Sequence, residues 1–132
     1  MKTRVLLIDD EEGFTTLLKE NLETACDYEV YCENDPWQAV ATAHDVQPDV
    51  VLLDLVMPGR DGGDVAGDFR RDGDLRYVPI IFVSALIRNE DSHGEIVVNS
   101  DGQQMLAKPF RFNTLRDCIE NNVCHCEEMY AR

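Results

Sequence analysis

Val5-Leu6-Leu7-Ile8-Asp9-Asp10 sets four apolar residues against two acids. A continuous apolar run has no polar face for water, so it reads as a strand covered on both sides of its sheet. The same pattern returns at Val50-Val51-Leu52-Leu53-Asp54 and at Ile80-Ile81-Phe82-Val83-Ser84. It returns in shorter form at Met105-Leu106-Ala107-Lys108. Tyr28-Glu29-Val30-Tyr31-Cys32 is a more polar strand candidate.

Helical spacing fills the intervals. Phe14, Leu17, Leu18, Leu22 and Ala25 predict a helix, with acids in its first turn. Asp35-Pro36 looks like an N-cap followed by proline at the first helical position, ahead of Trp37, Val40, Ala41 and His44. Pro48 breaks that helix. Met57-Pro58-Gly59-Arg60-Asp61-Gly62 is a turn-rich loop. Val65, Ala66 and Phe69 mark a weaker helix softened by Gly63 and Gly67, and Phe112, Leu115, Cys118, Ile119 and Val123 mark a closing one. Residues 86–104 are polar apart from Ile96-Val97-Val98, and their structure is open.

Five strand-then-helix repeats predict an α/β fold, a doubly wound parallel sheet with helices on both faces. Right-handed crossovers leave few strand orders, and the flavodoxin-like order 2-1-3-4-5 is one of the two common ones. The 132 residues fit one domain, and a 44% hydrophobic content supports a core.

The charge narrows the partners. With 12 Lys and Arg against 26 Asp and Glu, the formal charge is −14. That balance disfavours nucleic acid and anionic lipid, both of which need clustered cations. No apolar run approaches the roughly 20 residues of a membrane span, and the N-terminal run is cut at Asp9, unlike a signal peptide. Five cysteines without framework spacing fit reduced thiols and a cytoplasmic setting. Cys124-His125-Cys126, with His93 and His44 as distant extras, has poor zinc spacing and reads as the end of a helix.

Ligands of such sheets bind beyond the carboxyl ends of the strands. The residues that close the apolar strands are therefore the informative ones: Asp9 and Asp10, Asp54, Ser84 and Lys108. Taken singly, each has an ordinary role as a cap, a turn residue or a surface charge. Taken together at four strand ends, they make three carboxylates, a hydroxyl and an ammonium. Clustered carboxylates repel each other and call for a hard cation, and Mg²⁺ suits carboxylates together with phosphate oxygens. A carboxylate such as Asp54 can also be a nucleophile, giving an aspartyl phosphate. No Gly-rich phosphate loop of the nucleotide-binding kinds is present.

These residues resemble the receiver domain of two-component response regulators, over roughly residues 3 to 123. The resemblance rests on Leu7-Ile8-Asp9-Asp10, on the block from Leu53-Asp54 through Met57-Pro58-Gly59-Arg60-Asp61-Gly62, on Val83-Ser84-Ala85, and on Ala107-Lys108-Pro109-Phe110. It implies that Asp54 is the phosphoacceptor and that Asp9, Asp10 and Asp54, with the Val56 backbone carbonyl, hold Mg²⁺. It further implies that Ser84 and Lys108 contact the phosphoryl oxygens and that the Lys108-Pro109 bond is cis.

The chain departs from that pattern in places. Met105 stands where receivers usually carry Tyr or Phe, so the usual coupling of Ser84 to an aromatic ring is replaced by a weaker or rerouted switch. Val56 and Leu86 border the phosphoryl position and are aliphatic, which predicts slow self-dephosphorylation. The stretch between Ser84 and Lys108 is slightly long, with Gly94 and the polar run Asn99-Ser100-Asp101-Gly102, and is expected to form an unusual partner surface.

The reading is a single receiver over residues 1–132 with no output domain. It accepts phosphoryl from a phosphohistidine on a sensor histidine kinase or histidine phosphotransfer protein, then acts by protein contact or onward transfer. A true enzyme of the Asp-nucleophile phosphohydrolase kind would need a second Asp at Val56, so no enzyme is expected beyond self-catalysed acceptance and loss. The alternative is a degenerate receiver that binds partners independently of phosphorylation.

Overall fold

The computed structural model describes residues 2–85, 96–98 and 104–130, with side chains over 2–85 and 104–123. In chain order the elements are β1 (Thr3–Ile8), α1 (Glu12–Ala25), β2 (Tyr28–Glu33), a 3-10 turn (Pro36–Gln38), α2 (Ala39–Val46) and β3 (Val50–Asp54). They continue with α3 (Gly62–Arg71), β4 (Ile80–Ser84), β5 (Ile96–Val98), β6 (Gln104–Ala107) and α4 (Phe112–Tyr130).

The sheet order is β2-β1-β3-β4-β6-β5. The first five of these strands are parallel and realise the 2-1-3-4-5 order of the flavodoxin-like fold. β5 adds an edge strand antiparallel to β6, pairing Ile96 with Leu106 and Val98 with Gln104. The apolar island in the polar stretch is therefore sheet. Leu86, His93 and the polar run 99–102 lie outside the described residues, as do the side chains of Cys124, His125 and Cys126. The backbone through those last three is helical.

Alternation along the strands splits the core in two. Val5, Leu7, Val50, Leu52, Ile81 and Val83 face Leu22 of α1 and Leu115, Cys118 and Ile119 of α4. Leu6, Ile8, Val51, Leu53, Ile80 and Phe82 face Ala39 and Ala43 of α2 and Val65, Ala66 and Phe69 of α3. This two-sided burial is why the runs carry no polar residues.

Two helix faces are rotated from the expected phase. In α1 the inward residues are Thr15 and Leu22 with Leu18 packed beside them, and Leu17 is exposed. Thr15 tolerates burial because its hydroxyl donates to the Glu12 carbonyl (3.1 Å) and accepts from Asn34 Nδ2 (3.0 Å). In α2 the small residues Ala39 and Ala43 face in, letting the helix lie close to the sheet, while Ala41 and His44 face out. Trp37 belongs to the 3-10 turn, capped by Asp35 through the Trp37 N–H, and is exposed.

Candidate functional site: an acidic pocket at the strand ends

The β1–β3 register pairs Ile8 with Leu53, so the next residue on each strand, Asp9 and Asp54, emerges at the same edge. The β4–β6 register pairs Ser84 with Ala107, and the Lys108 N–H donates to the Ser84 carbonyl (3.0 Å). Topology alone thus gathers residues far apart in sequence at one end of the sheet.

Asp9 and Asp54 are buried and Asp10 is half-buried. One carboxylate oxygen from each of the three lies within 4.8 Å of the others. Lys108 Nζ is 2.8 Å from Asp9 Oδ2 and 4.0 Å from Asp54 Oδ2. The other Asp9 oxygen accepts from the Glu11 N–H (3.0 Å), and Asp54 Oδ1 accepts from the Val56 N–H (3.3 Å). Burial, then the neighbouring Asp9 charge, pushes the Asp54 carboxyl up to about 6, against the opposing pull of Lys108. Ser84 is fully buried beside this cluster at the end of β4, and Lys108-Pro109 is a cis peptide.

Every strand-end residue picked out in the sequence is therefore at one site. Met105 sits on β6 opposite Phe82, half-buried against the α2–α3 side of the core. Val56 extends its side chain to solvent, and what it shows toward Asp54 is its N–H.

Several contributors were missed in the sequence. The Phe14 ring lies 4.3 Å from Lys108 Nζ and steadies the ammonium. Asn34 donates to the Asp9 carbonyl (2.7 Å) as well as to Thr15, tying β1 to the end of β2. Gly62 opens α3 against the backbone of β3, where an added Cβ would stand 2.4 Å from the Asp54 carbonyl oxygen. A Gly at the end of a turn-rich loop was a usable signal for that close approach. Phe14 and Asn34 carried none.

The donor set suits a hard divalent cation: three carboxylates converge, two of them buried, and their mutual repulsion is already visible in Asp54. Among the described residues, thiol chemistry does not compete. Burial pushes Cys118 up to about 12 and also raises Cys26 and Cys32, so these thiols stay protonated.

A doubly wound parallel sheet of this order, with acids, a hydroxyl and a lysine at the carboxyl ends of its strands, is the flavodoxin-like architecture of receiver domains. The chain belongs to the response regulator receiver domain family, which matches residues 5–120. It is similar to the chemotaxis response regulator CheY4 of Vibrio cholerae, at 25% identity over 92% of this chain and 99% of that one, with a TM-score of 0.75. Two further structures share the fold. The receiver domain of the Francisella response regulator 1452 has 22% identity, 95% and 99% coverage and a TM-score of 0.76. The receiver domain of a putative Luxo repressor protein from Vibrio parahaemolyticus has 20% identity, 99% and 97% coverage and a TM-score of 0.80. Among the described residues, no helix is long and apolar enough to cross a membrane.

Proposed function

We propose that the protein accepts a phosphoryl group from a phosphohistidine onto Asp54, with Mg²⁺, and signals by protein contact or by passing the group on. The observation that carries this reading is the convergence of Asp9, Asp10 and Asp54 with Lys108 at one sheet edge. Asp9, Asp10 and Asp54, with the Val56 carbonyl, would hold the ion, whose chemistry is to neutralise charge on the transferring phosphoryl oxygens.

The protein's own groups do the rest. An Asp54 carboxylate oxygen attacks phosphorus, the P–N bond to the donor imidazole breaks, and its electron pair returns to the imidazole nitrogen. Lys108 stands 4.0 Å from Asp54, close enough to pair with an added phosphoryl oxygen. Ser84, at the end of the neighbouring strand, supplies a hydroxyl to another. The exposed aliphatic Val56 cannot orient water, so self-dephosphorylation is slow. Decay of the adduct within about a few seconds would contradict that last point. With Met105 in place of an aromatic ring, the signal leaves through movement of loops around Asp54 and Ser84.

The test is phosphoryl uptake from phosphoramidate read by intact mass. Gain of one phosphoryl group with Mg²⁺, and none with chelator, supports the reading. A degenerate receiver that only binds partners would take up none under either condition.

A further inference from the structure

Outside the acceptor pocket, the described surface holds an aromatic anchor that the core does not use. Trp37, the chain's one tryptophan, is 65% exposed. Trp37 is nonetheless held in place. The Arg60 guanidinium lies over its ring, 4.8 Å from the centroid. Arg60 is itself largely buried, with an ion pair to Asp68. Gly59, at φ +80°, brings the same loop against the indole, with an added Cβ 3.8 Å from Trp37 Nε1. Asp35 caps the Trp37 N–H at 3.0 Å.

An indole fixed in this way would lose little freedom on binding, and its uncovered face is a large apolar area. Clamping the loop needs only the contacts with Arg60 and Gly59, which leaves that face unused. Trp and Arg are the residues that most often dominate interface energetics. The surroundings set the partner's charge. Asp35 and Asp61 are exposed on the same turn and loop, and Asp64 is exposed on the first turn of α3, in a chain of net charge −14. Arg60 does not offset them, because Asp68 already neutralises it.

We propose that Trp37 and the loop around Gly59 and Arg60 form a docking surface for a protein segment that presents an apolar side chain flanked by Lys or Arg. The apolar residue covers the indole and the basic flanks meet the acids. A nucleic acid would meet the same acids and be repelled. This surface is separate from the cleft beside Lys108 lined by Phe14, Leu17, Leu18 and Phe110.

The test is amide chemical-shift mapping of the full chain. The probes are synthetic peptides with a Leu-Phe centre and Lys-Arg flanks, and control peptides with Glu at the flanks. The expected shifts centre on Trp37, Gly59 and Arg60. The Glu-flanked control and the Trp37→Ala protein should each bind roughly tenfold or more weakly. An unchanged thermal midpoint for Trp37→Ala shows that the fold is kept. Shifts centred on Phe14 and Phe110, equal binding of the control, unaltered affinity in Trp37→Ala, or no binding at about 1 mM peptide would each overturn the proposal.

Discussion

Lys108 pairs with Asp9 more closely than with Asp54: its ammonium is 2.8 Å from the first carboxylate and 4.0 Å from the second. Lys108 therefore compensates the buried Asp9 charge directly and the buried Asp54 charge only at longer range. Replacing it with Met keeps the bulk of the stem and strands a buried carboxylate. Lys108→Met should lower stability by about 3 kcal/mol without Mg²⁺, because one partner of a mostly buried pair is removed. It should also cut phosphoryl uptake. Urea midpoints and intact mass check both, and unchanged values would remove Lys108 from the account.

The Asp54 carboxyl, raised to about 6 from an ordinary 3.8, makes stability depend on pH in a defined direction. The folded protein binds this proton more tightly than the unfolded chain, so the burden of a buried carboxylate is full above the folded value. It is relieved as pH falls toward the unfolded value, where both states are protonated. Asp54→Asn should therefore be more stable than the parent at pH 7.5 without Mg²⁺, on the order of 1–3 kcal/mol. The gap should close on titrating toward pH 4 and on adding Mg²⁺ at pH 7.5. A gap that widens toward acid in thermal melts would show the sign to be wrong.

Gly62 sits where α3 begins, and a Cβ there would meet the Asp54 carbonyl oxygen at 2.4 Å and the Leu55 Cα at 2.9 Å. Both are backbone atoms of β3 and of the loop that leaves it. Gly62→Ala should cost about 2–3 kcal/mol, the range for overpacking a tight site. It should also reduce phosphoryl uptake by displacing Asp54. Gly13, with open space around its Cβ position, is the control, and Gly13→Ala should be tolerated.

On the far side of the sheet, Gln104 of β6 and Asn122 of α4 exchange two amide hydrogen bonds of 2.9 Å, and Asn122 also donates to the Cys118 carbonyl (2.8 Å). The pair fixes the register of α4 against the strand that carries Met105 and leads into Lys108. Asn122→Ala leaves the Gln104 amide without its partner and should cost roughly 1–3 kcal/mol. The Gln104→Leu, Asn122→Leu double variant should cost less than the sum of the two single variants, because no orphaned amide remains. Additive losses in urea denaturation would mean that the pair is not coupled.

Strands were legible wherever burial on both faces purged polar residues, as at Val5-Leu6-Leu7-Ile8 and Val50-Val51-Leu52-Leu53. Their terminal acids were legible for the same reason, since a polar residue that ends such a run must emerge at the sheet edge. Helix phase was harder to read. Leu17 and Trp37 fitted the apolar spacing yet face outward, and Thr15 faces inward because Asn34 and Glu12 satisfy its hydroxyl. Those partners come from tertiary contacts and local geometry that spacing does not encode. The Phe14 ring under Lys108 depends on the first turn of α1 lying against the residue after β6, and β5 on an antiparallel pairing that the βα repeat does not imply.

The most direct test of the central claim locates the phosphoryl group. The protein is treated with phosphoramidate and Mg²⁺, reduced with borohydride to mark any acyl phosphate, digested, and read by peptide mass. The adduct should be acid-stable and base-labile, and its mark should fall on Asp54 and be lost in Asp54→Ala. A mark on another residue, or equal incorporation in Asp54→Ala, would contradict it.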